Sequence, residues 1–232
     1  PTRDIAAAVY RKENYHFDKA IYVTSAQQCL HFAQWFKVVE MMGYPWYDQL
    51  VHVPYGTVSL NGAKLATRTG NVVLLKDLFA LAIEKVTAIM KEKNPNLEDG
   101  EEIAEAVGVG AIVFYYLSNT RMKDINFVME EALSFDGNTG PYVQYTYARA
   151  CSVLNRAGET LDGEIQITAE EEATLVKMLC RFGERVCSAI ADYEPSYITR
   201  YILDIAAAFN RFYHNCPILS AEDEAVRASR LK

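Results

Sequence analysis

The 232-residue sequence predicts an α/β layer followed by an all-helical bundle. Three observations predict it. Short apolar strand runs alternate with helical periods through the first hundred residues, an Asn61-Gly62 hairpin signal sits among them, and from about Ile103 onward the pattern is nearly all helical.

Taken in order, a short helix is expected from about Asp4 to Arg11, then a strand at Ile21-Tyr22-Val23. A helix from about Gln27 to Met42 follows, ending at Gly43, with Leu30, Phe32, Trp35, Val38, Val39 and Met42 at near 3.6-residue spacing. A second strand at Leu50-Val51-His52-Val53 leads through Tyr55-Gly56 into the hairpin at Asn61-Gly62. The polar stretch from Ala63 to Asn71 is held between this hairpin and a helix from about Lys76 to Lys93, which stops before Pro95. An extended dip at Asp124-Ile125-Asn126-Phe127 and a polar loop from Ser134 to Thr139 interrupt the helical half. Thr168 and Glu171 have capping-box spacing, with Leu175, Leu179, Phe182, Val186 and Ile190 on one stripe behind them. Pro195-Ser196 opens a last clear helix with Ile198, Ile202, Ile205, Phe209 and Phe212 inward, ended by Pro217. A bundle of four or five helices is the natural packing. The stretch from Ala221 to Lys232 looks too short to bury a full face, and the sequence is expected to be truncated.

The net charge of -7 argues against binding nucleic acid through one broad basic surface but leaves room for local positive clusters. Five widely spaced cysteines with no C-x-x-C pair fit a reducing, cytoplasmic setting better than a disulfide framework or zinc site. No apolar run approaches the length of a membrane span.

Two segments concentrate chemistry. Asn61 to Asn71 carries Lys64, Thr67, Arg68 and Thr69 between Gly62 and Gly70, a composition that suits an anion-wrapping loop and equally a solvated hairpin with incidental charges. Phe135 to Arg149 places Tyr142, Tyr145 and Arg149 three and four residues apart, on one helical face. Rings and a guanidinium together form a platform for unstacked bases, although spacing alone favours a stripe packed into a core.

These and other segments resemble the arginyl-tRNA synthetases. Lys64-Leu-Ala-Thr-Arg68-Thr-Gly-Asn-Val-Val-Leu-Leu75 is similar to the second class I signature in its K-M-S-T-R-K-G-N-V-V-L-L form, with Leu65, Ala66 and Thr69 departing from it and Thr67 in place of the second signature lysine. Pro1-Thr-Arg-Asp4-Ile-Ala-Ala-Ala-Val-Tyr10-Arg11 resembles the family's Y-x-T-R-D-L-A-A-A-x-Y-R, with the leading tyrosine falling just before Pro1. Tyr22 to Phe32 resembles Y-V-V-G-A-Q-Q-N-L-H-F with Ser25 in the glycine position, and His52-Val-Pro-Tyr55-Gly56 resembles H-V-P-F-G. Asp136 to Arg149 resembles D-x-N-T-G-P-Y-x-Q-Y-A-x-A-R.

The resemblance implies the second half of a Rossmann-like class I catalytic domain over residues 1–134, with connecting helices, and a truncated DALR-type anticodon-binding bundle over 135–232. It implies catalytic roles for Lys64 first, then Arg68 and Thr67. Asp4 and Gln28 would bind substrate arginine, Asp4 pairing its carboxylate with the guanidinium; as a residue, Asp4 also reads as a helix N-terminal acid. Gln27, His31, Tyr55 and Gly56 would bind ATP, the glycine through backbone atoms, while His31 also reads as a half-buried structural histidine. Tyr142, Tyr145 and Arg149 would meet the anticodon, with Phe209 and Tyr213, which a shift of helix register would turn into the core. The implied reaction joins L-arginine to ATP with Mg2+ in the substrate complex and no tightly bound cofactor or protein-held metal, then transfers the arginyl group to arginine tRNA. A monomer with no DNA or membrane partner is expected. No H-x-G-H segment occurs, His16, His31, His52 and His214 each standing alone, so the chain by itself is expected to be inactive. A non-catalytic tRNA-binding or regulatory paralogue is the alternative.

Overall fold

The computed structural model describes residues 1–60, 62–64, 74–93, 100–158 and 164–232. The chain divides into two compact units. The first comprises Pro1–Lys64 and Thr120–Asn126; the second comprises the described residues of 65–119 together with Phe127–Lys232. This division gives the helices after residue 74 to the bundle, whereas the sequence reading drew its boundary at 134.

The first unit is built on two parallel strands, β1 (Ala20–Ser25) and β2 (Leu50–Tyr55), in register from Ala20 opposite Leu50 to Ser25 opposite Tyr55. Helix α1 (Thr2–Tyr15) precedes them and α2 (Cys29–Met41) connects them. A 3-10 turn at Ala26–Gln28 joins β1 to α2, and another at Tyr47–Gln49 enters β2. Gly43, at φ +82°, follows the end of α2 as expected, supplying the left-handed conformation that a helix terminus favours.

The core of this unit gathers Ala8 from α1, Phe32, Trp35 and Val39 from α2, and Trp46 and Leu50 before and within β2, with Tyr22, Phe36 and Tyr44 packed against them. The buried stripe of α2 is narrower than the sequence suggested. Phe32, Trp35 and Val39, spaced three and four apart, are buried, while Leu30, Val38 and Met42 are exposed.

A second small sheet has the order β4-β3-β5, with β3 (Val58–Leu60) antiparallel to β4 (Ala63–Lys64) and β5 (Ile125–Phe127) on the other side. Leu60 faces Ala63 in the register of the predicted hairpin, and Gly62 sits at φ +79°. Residues 120–126 clamp this region. The Asp124 carboxylate accepts the Thr57 N–H at 2.6 Å, Asn126 Oδ1 accepts the Gly62 N–H at 2.7 Å, and the Ile125 N–H reaches the Thr57 carbonyl at 2.8 Å.

The helical unit starts with α3 (Leu75–Lys93) and α4 (Gly100–Leu117), which bury Leu78, Ala82 and Val86 on one side and Ala104, Gly108, Ala111 and Ile112 on the other. A Cβ on Gly108 would lie 3.0 Å from the Ile83 backbone nitrogen, so the two backbones meet where a side chain has no room. A short α5 (Met129–Ala132) leads to α6 (Gly140–Ala157), then α7 (Glu170–Leu179), α8 (Phe182–Asp192), α9 (Ser196–Asn215) and α10 (Glu224–Leu231).

Three sequence expectations need correction here. The stripe from Leu175 to Ile190 is not one helix: the chain breaks at Cys180 and Arg181, leaving Leu179, Phe182 and Ile190 exposed. The cap of α7 uses Glu172, not Glu171: its carboxylate accepts the N–H groups of Thr168 and Ala169, while Glu171 accepts from Asn215 at 2.7 Å. The last helix also buries more than expected. Asp223 caps it at Ala225 and Val226, Ala228 and Ser229 are buried, and Arg230 Nε donates to Glu172 at 2.6 Å.

Candidate functional site

In the first unit, the candidate residues collect at the carboxyl ends of the two parallel strands, the edge where open α/β layers receive ligands. β1 ends at Ser25, whose hydroxyl accepts the Gln27 N–H at 3.3 Å and starts the 3-10 turn. That turn leaves the Gln27 and Gln28 side chains exposed, and places His31 in the first turn of α2. Asp4, in the first turn of α1, lies 3.3 Å from His31 Nε2. Two motifs far apart in sequence therefore meet in a half-exposed carboxylate–imidazole pair that can present an oxygen to a cationic ligand.

Behind this edge, His52 on β2 stacks on the Phe32 ring at 4.2 Å and shares a hydrogen bond of 2.8 Å with Thr24 Oγ1 on β1. Burial, with the Arg121 charge adding to it, holds the imidazole pKa below its usual value. Tyr22 packs among Phe32, Trp35 and Phe36, and burial raises its hydroxyl pKa against the opposing pull of Arg11.

Tyr55 ends β2 partly exposed, and Gly56 follows. The Gly56 N–H donates to the Arg121 carbonyl at 2.8 Å, while Arg121 Nη1 donates to the Pro54 carbonyl at 2.8 Å. A Cβ on Gly56 would come within 2.4 Å of the Lys123 carbonyl oxygen. Glycine is thus required by the approach of the 120–126 segment, and the backbone N–H is already used inside the fold. Lys64 lies in β4 opposite Ser59. Its side chain, and Thr67 and Arg68, lie outside the described residues.

In the helical unit, Thr139 starts α6 by accepting the Tyr142 N–H at 3.2 Å while donating to the Ser134 carbonyl at 2.6 Å, and Pro141 occupies the first turn. This cap fixes where Tyr142, Tyr145 and Arg149 emerge. Helix α9 packs across them and adds Asn210 and Tyr213. The Arg149 guanidinium carbon lies 4.8 Å from the centroids of both the Tyr145 and Tyr213 rings. Its Nη1 donates to Asn210 Oδ1 at 2.6 Å and its Nη2 to the Tyr145 hydroxyl at 3.0 Å. Asn210 Nδ2 donates in turn to the Tyr142 hydroxyl and to Thr146 Oγ1, both at 3.0 Å.

Four of the five expected residues therefore converge: Tyr142, Tyr145, Arg149 and Tyr213. Tyr145 is 53% exposed, so the cluster opens to solvent. Phe209 packs on the core cluster of Phe212, Cys216 and Ile218, as Tyr213 also does while reaching Arg149. Asn210 was missed by the sequence reading; the signal available was one amide between Ala206-Ala-Ala-Phe209 and Arg211-Phe-Tyr213 on an otherwise apolar stripe.

A parallel-strand α/β unit followed by a helical unit is the build of a class I synthetase catalytic domain with a helical anticodon-binding domain, and similarity to known proteins agrees. Residues 1–129 match the family described as tRNA synthetases class I (R), catalytic domain, and residues 143–232 match the DALR anticodon binding domain. The chain belongs to the arginyl-tRNA synthetase family. It is 49% identical to an arginine–tRNA ligase of Clostridioides difficile over 99% of its length, covering 41% of that protein. It is 48% identical to one from Halothermothrix orenii over the same shares. The solved Thermus thermophilus arginyl-tRNA synthetase superimposes with a TM-score of 0.83 at 36% identity, covering 92% of this chain and 37% of that one. That of Plasmodium falciparum gives 0.81 at 25% identity, covering 98% and 39%. The chain spans about two-fifths of the length of the curated relatives it matches.

Proposed function

We propose that this chain serves the ATP-dependent ligation of L-arginine to its cognate tRNA, supplying one edge of the activation site and the anticodon-facing helices. The observation that carries the reading is the meeting of Asp4 and His31, from separate motifs, at the carboxyl ends of the parallel strands of a chain that belongs to this family.

In the proposed reaction the arginine carboxylate attacks the α-phosphate of ATP and pyrophosphate leaves; a hydroxyl of the terminal ribose of the tRNA then takes the arginyl group from the adenylate, releasing AMP. Mg2+ enters with ATP as part of the substrate. Asp4 accepts the substrate guanidinium with Gln28 beside it, and Gln27, His31, Tyr55 and Gly56 border the nucleotide; the Gly56 contribution falls to its carbonyl, since its N–H is engaged. Lys64, with Arg68 and Thr67, stabilises charge developing on the phosphates. Orientation and charge stabilisation do the chemistry, without a covalent nucleophile. We place the working protein in the cytoplasm as a monomer. All five cysteines are free, and among the described residues no helix is long and apolar enough to cross a membrane.

The test is arginine-dependent exchange of pyrophosphate into ATP by the full-length protein with its tRNA. Asp4→Asn is expected to raise KM for arginine by about 10- to 100-fold, the worth of a charge-assisted pair. Lys64→Ala is expected to lower kcat by about a hundredfold or more. A wild-type protein that binds tRNA yet exchanges no pyrophosphate would favour the non-catalytic paralogue, a reading that Thr67 in the second signature-lysine position also motivates.

A further inference from the structure

We infer that Asn210 is a positioning residue of the RNA-facing surface, acting through Arg149. The inference rests on the anticodon reading of the α6 face and deepens it.

Asn210 sits half-buried on α9, where its neighbours Ala206, Ala208 and Phe212 are buried. An amide offers two N–H donors and a carbonyl oxygen that accepts. Here both donors and the acceptor oxygen are engaged: Oδ1 accepts from Arg149 at 2.6 Å, and Nδ2 donates to Tyr142 and Thr146, each at 3.0 Å. All three partners are on α6, two of them in the proposed RNA-contacting set. One side chain thereby fixes the guanidinium of Arg149 and the hydroxyl of Tyr142 from the opposite helix.

An arginine side chain is long and has many rotamers, so a guanidinium that waits in its binding geometry loses less entropy when a ligand arrives. Arg149 is held this way from three sides, by Asn210 and by the Tyr145 and Tyr213 rings at 4.8 Å. A guanidinium carries five N–H groups, more than the bonds to Asn210 and Tyr145 consume, so it can orient toward a phosphate or a base edge while anchored. The ligand chemistry that suits two tyrosine rings around an oriented guanidinium is an unstacked base of single-stranded RNA with its phosphate.

The experiment is a double-mutant cycle on the full chain, reading Kd for an arginine tRNA transcript, with the thermal midpoint of each variant recorded in parallel. Arg149→Ala is expected to weaken binding by about tenfold or more, and Asn210→Ala by several-fold. Because Asn210 acts chiefly through Arg149, with a second bond to Tyr142, the loss in the double variant is expected to be smaller than the product of the two single losses. Asn210→Leu, similar in size and without hydrogen-bonding groups, is carried through the same cycle so that the result does not depend on one substitution folding well. Multiplying losses in the double variants, or unaltered binding by both Asn210 variants beside a weakened Arg149→Ala, would overturn the positioning role and leave the anticodon reading standing. Unaltered binding by Arg149→Ala would bring down that reading and this inference with it.

Discussion

At the scale of single residues, two ionisable groups, Glu172 buried and His52 half-buried, make separable predictions. Glu172 is only 6% exposed, and burial alone would raise its carboxyl pKa. The Thr168 and Ala169 N–H groups and the Arg230 guanidinium outweigh that cost and bring it below the usual value. A depressed carboxylate contributes stability that is present above its unfolded pKa and is lost as pH falls through the folded one. Glu172→Ala at neutral pH strands the Arg230 charge and frees two N–H groups, and should cost about 3 kcal/mol in denaturant unfolding. A loss below about 1 kcal/mol would mean that the pair is a surface bridge in effect. His52 has the opposite protonation chemistry but the same sign. Its folded pKa lies below 6.5, so the unfolded chain takes up the proton first as pH drops. Stability should be full above pH 6.5 and decline as pH falls from there toward the folded pKa. Thermal midpoints between pH 7.5 and 5 should show this decline, and His52→Gln should flatten it; an unchanged slope would assign the effect to other groups.

At the scale of elements, the helix contacts set by glycine can be tested by contrast. Gly108→Ala improves helix propensity by about 1 kcal/mol, yet its Cβ would press on the Ile83 backbone of α3. Net destabilisation of about 1–3 kcal/mol is expected from the forced separation of α3 and α4. Gly183→Ala in α8, where nothing lies within 4 Å of the new Cβ, should gain up to about 1 kcal/mol from the same propensity. If both variants shift stability alike, the close approach is not what retains Gly108. The elements also mark what was legible. β1, α2, β2 and the Gly62 turn followed from apolar period and turn chemistry, because those are local. The break between α7 and α8 did not, since Cys180-Arg181 contains neither glycine nor proline and the new helix starts with Arg181 gripping Glu184 through two bonds of 3.1 Å. The cap of α7 slipped by one residue for a similar reason: Glu172 is chosen by its distant partner Arg230, which no local pattern encodes.

At the scale of the whole molecule, the motifs supplied the candidate residues, but the constellations belong to tertiary structure. Asp4 with His31, and Arg149 with Asn210 and Tyr213, unite residues whose separation in sequence hides their contact. The same holds for Gly56, whose need for glycine comes from the carbonyl of Lys123. The matching relatives are more than twice as long as this chain and no H-x-G-H segment occurs in it, so the 232 residues alone are expected to show no arginine-dependent exchange of pyrophosphate into ATP. Exchange at the full-length rate would refute that. On the proposed anticodon reading, the helical unit is expected to bind RNA nonetheless. The whole chain carries a net charge of -7, so selectivity would then come from the local cluster around Arg149 and not from a broad basic field.

The most direct measurement is therefore binding of this chain to an unmodified arginine tRNA transcript and to a non-cognate tRNA at two salt concentrations, beside the Tyr145→Ala/Arg149→Ala double variant. The expected result is selective binding that weakens with salt and is lost in the double variant. Equal, weak binding of both tRNAs by both proteins would contradict the account, leaving the exposed ring-and-guanidinium face of α6 without a part in RNA selection.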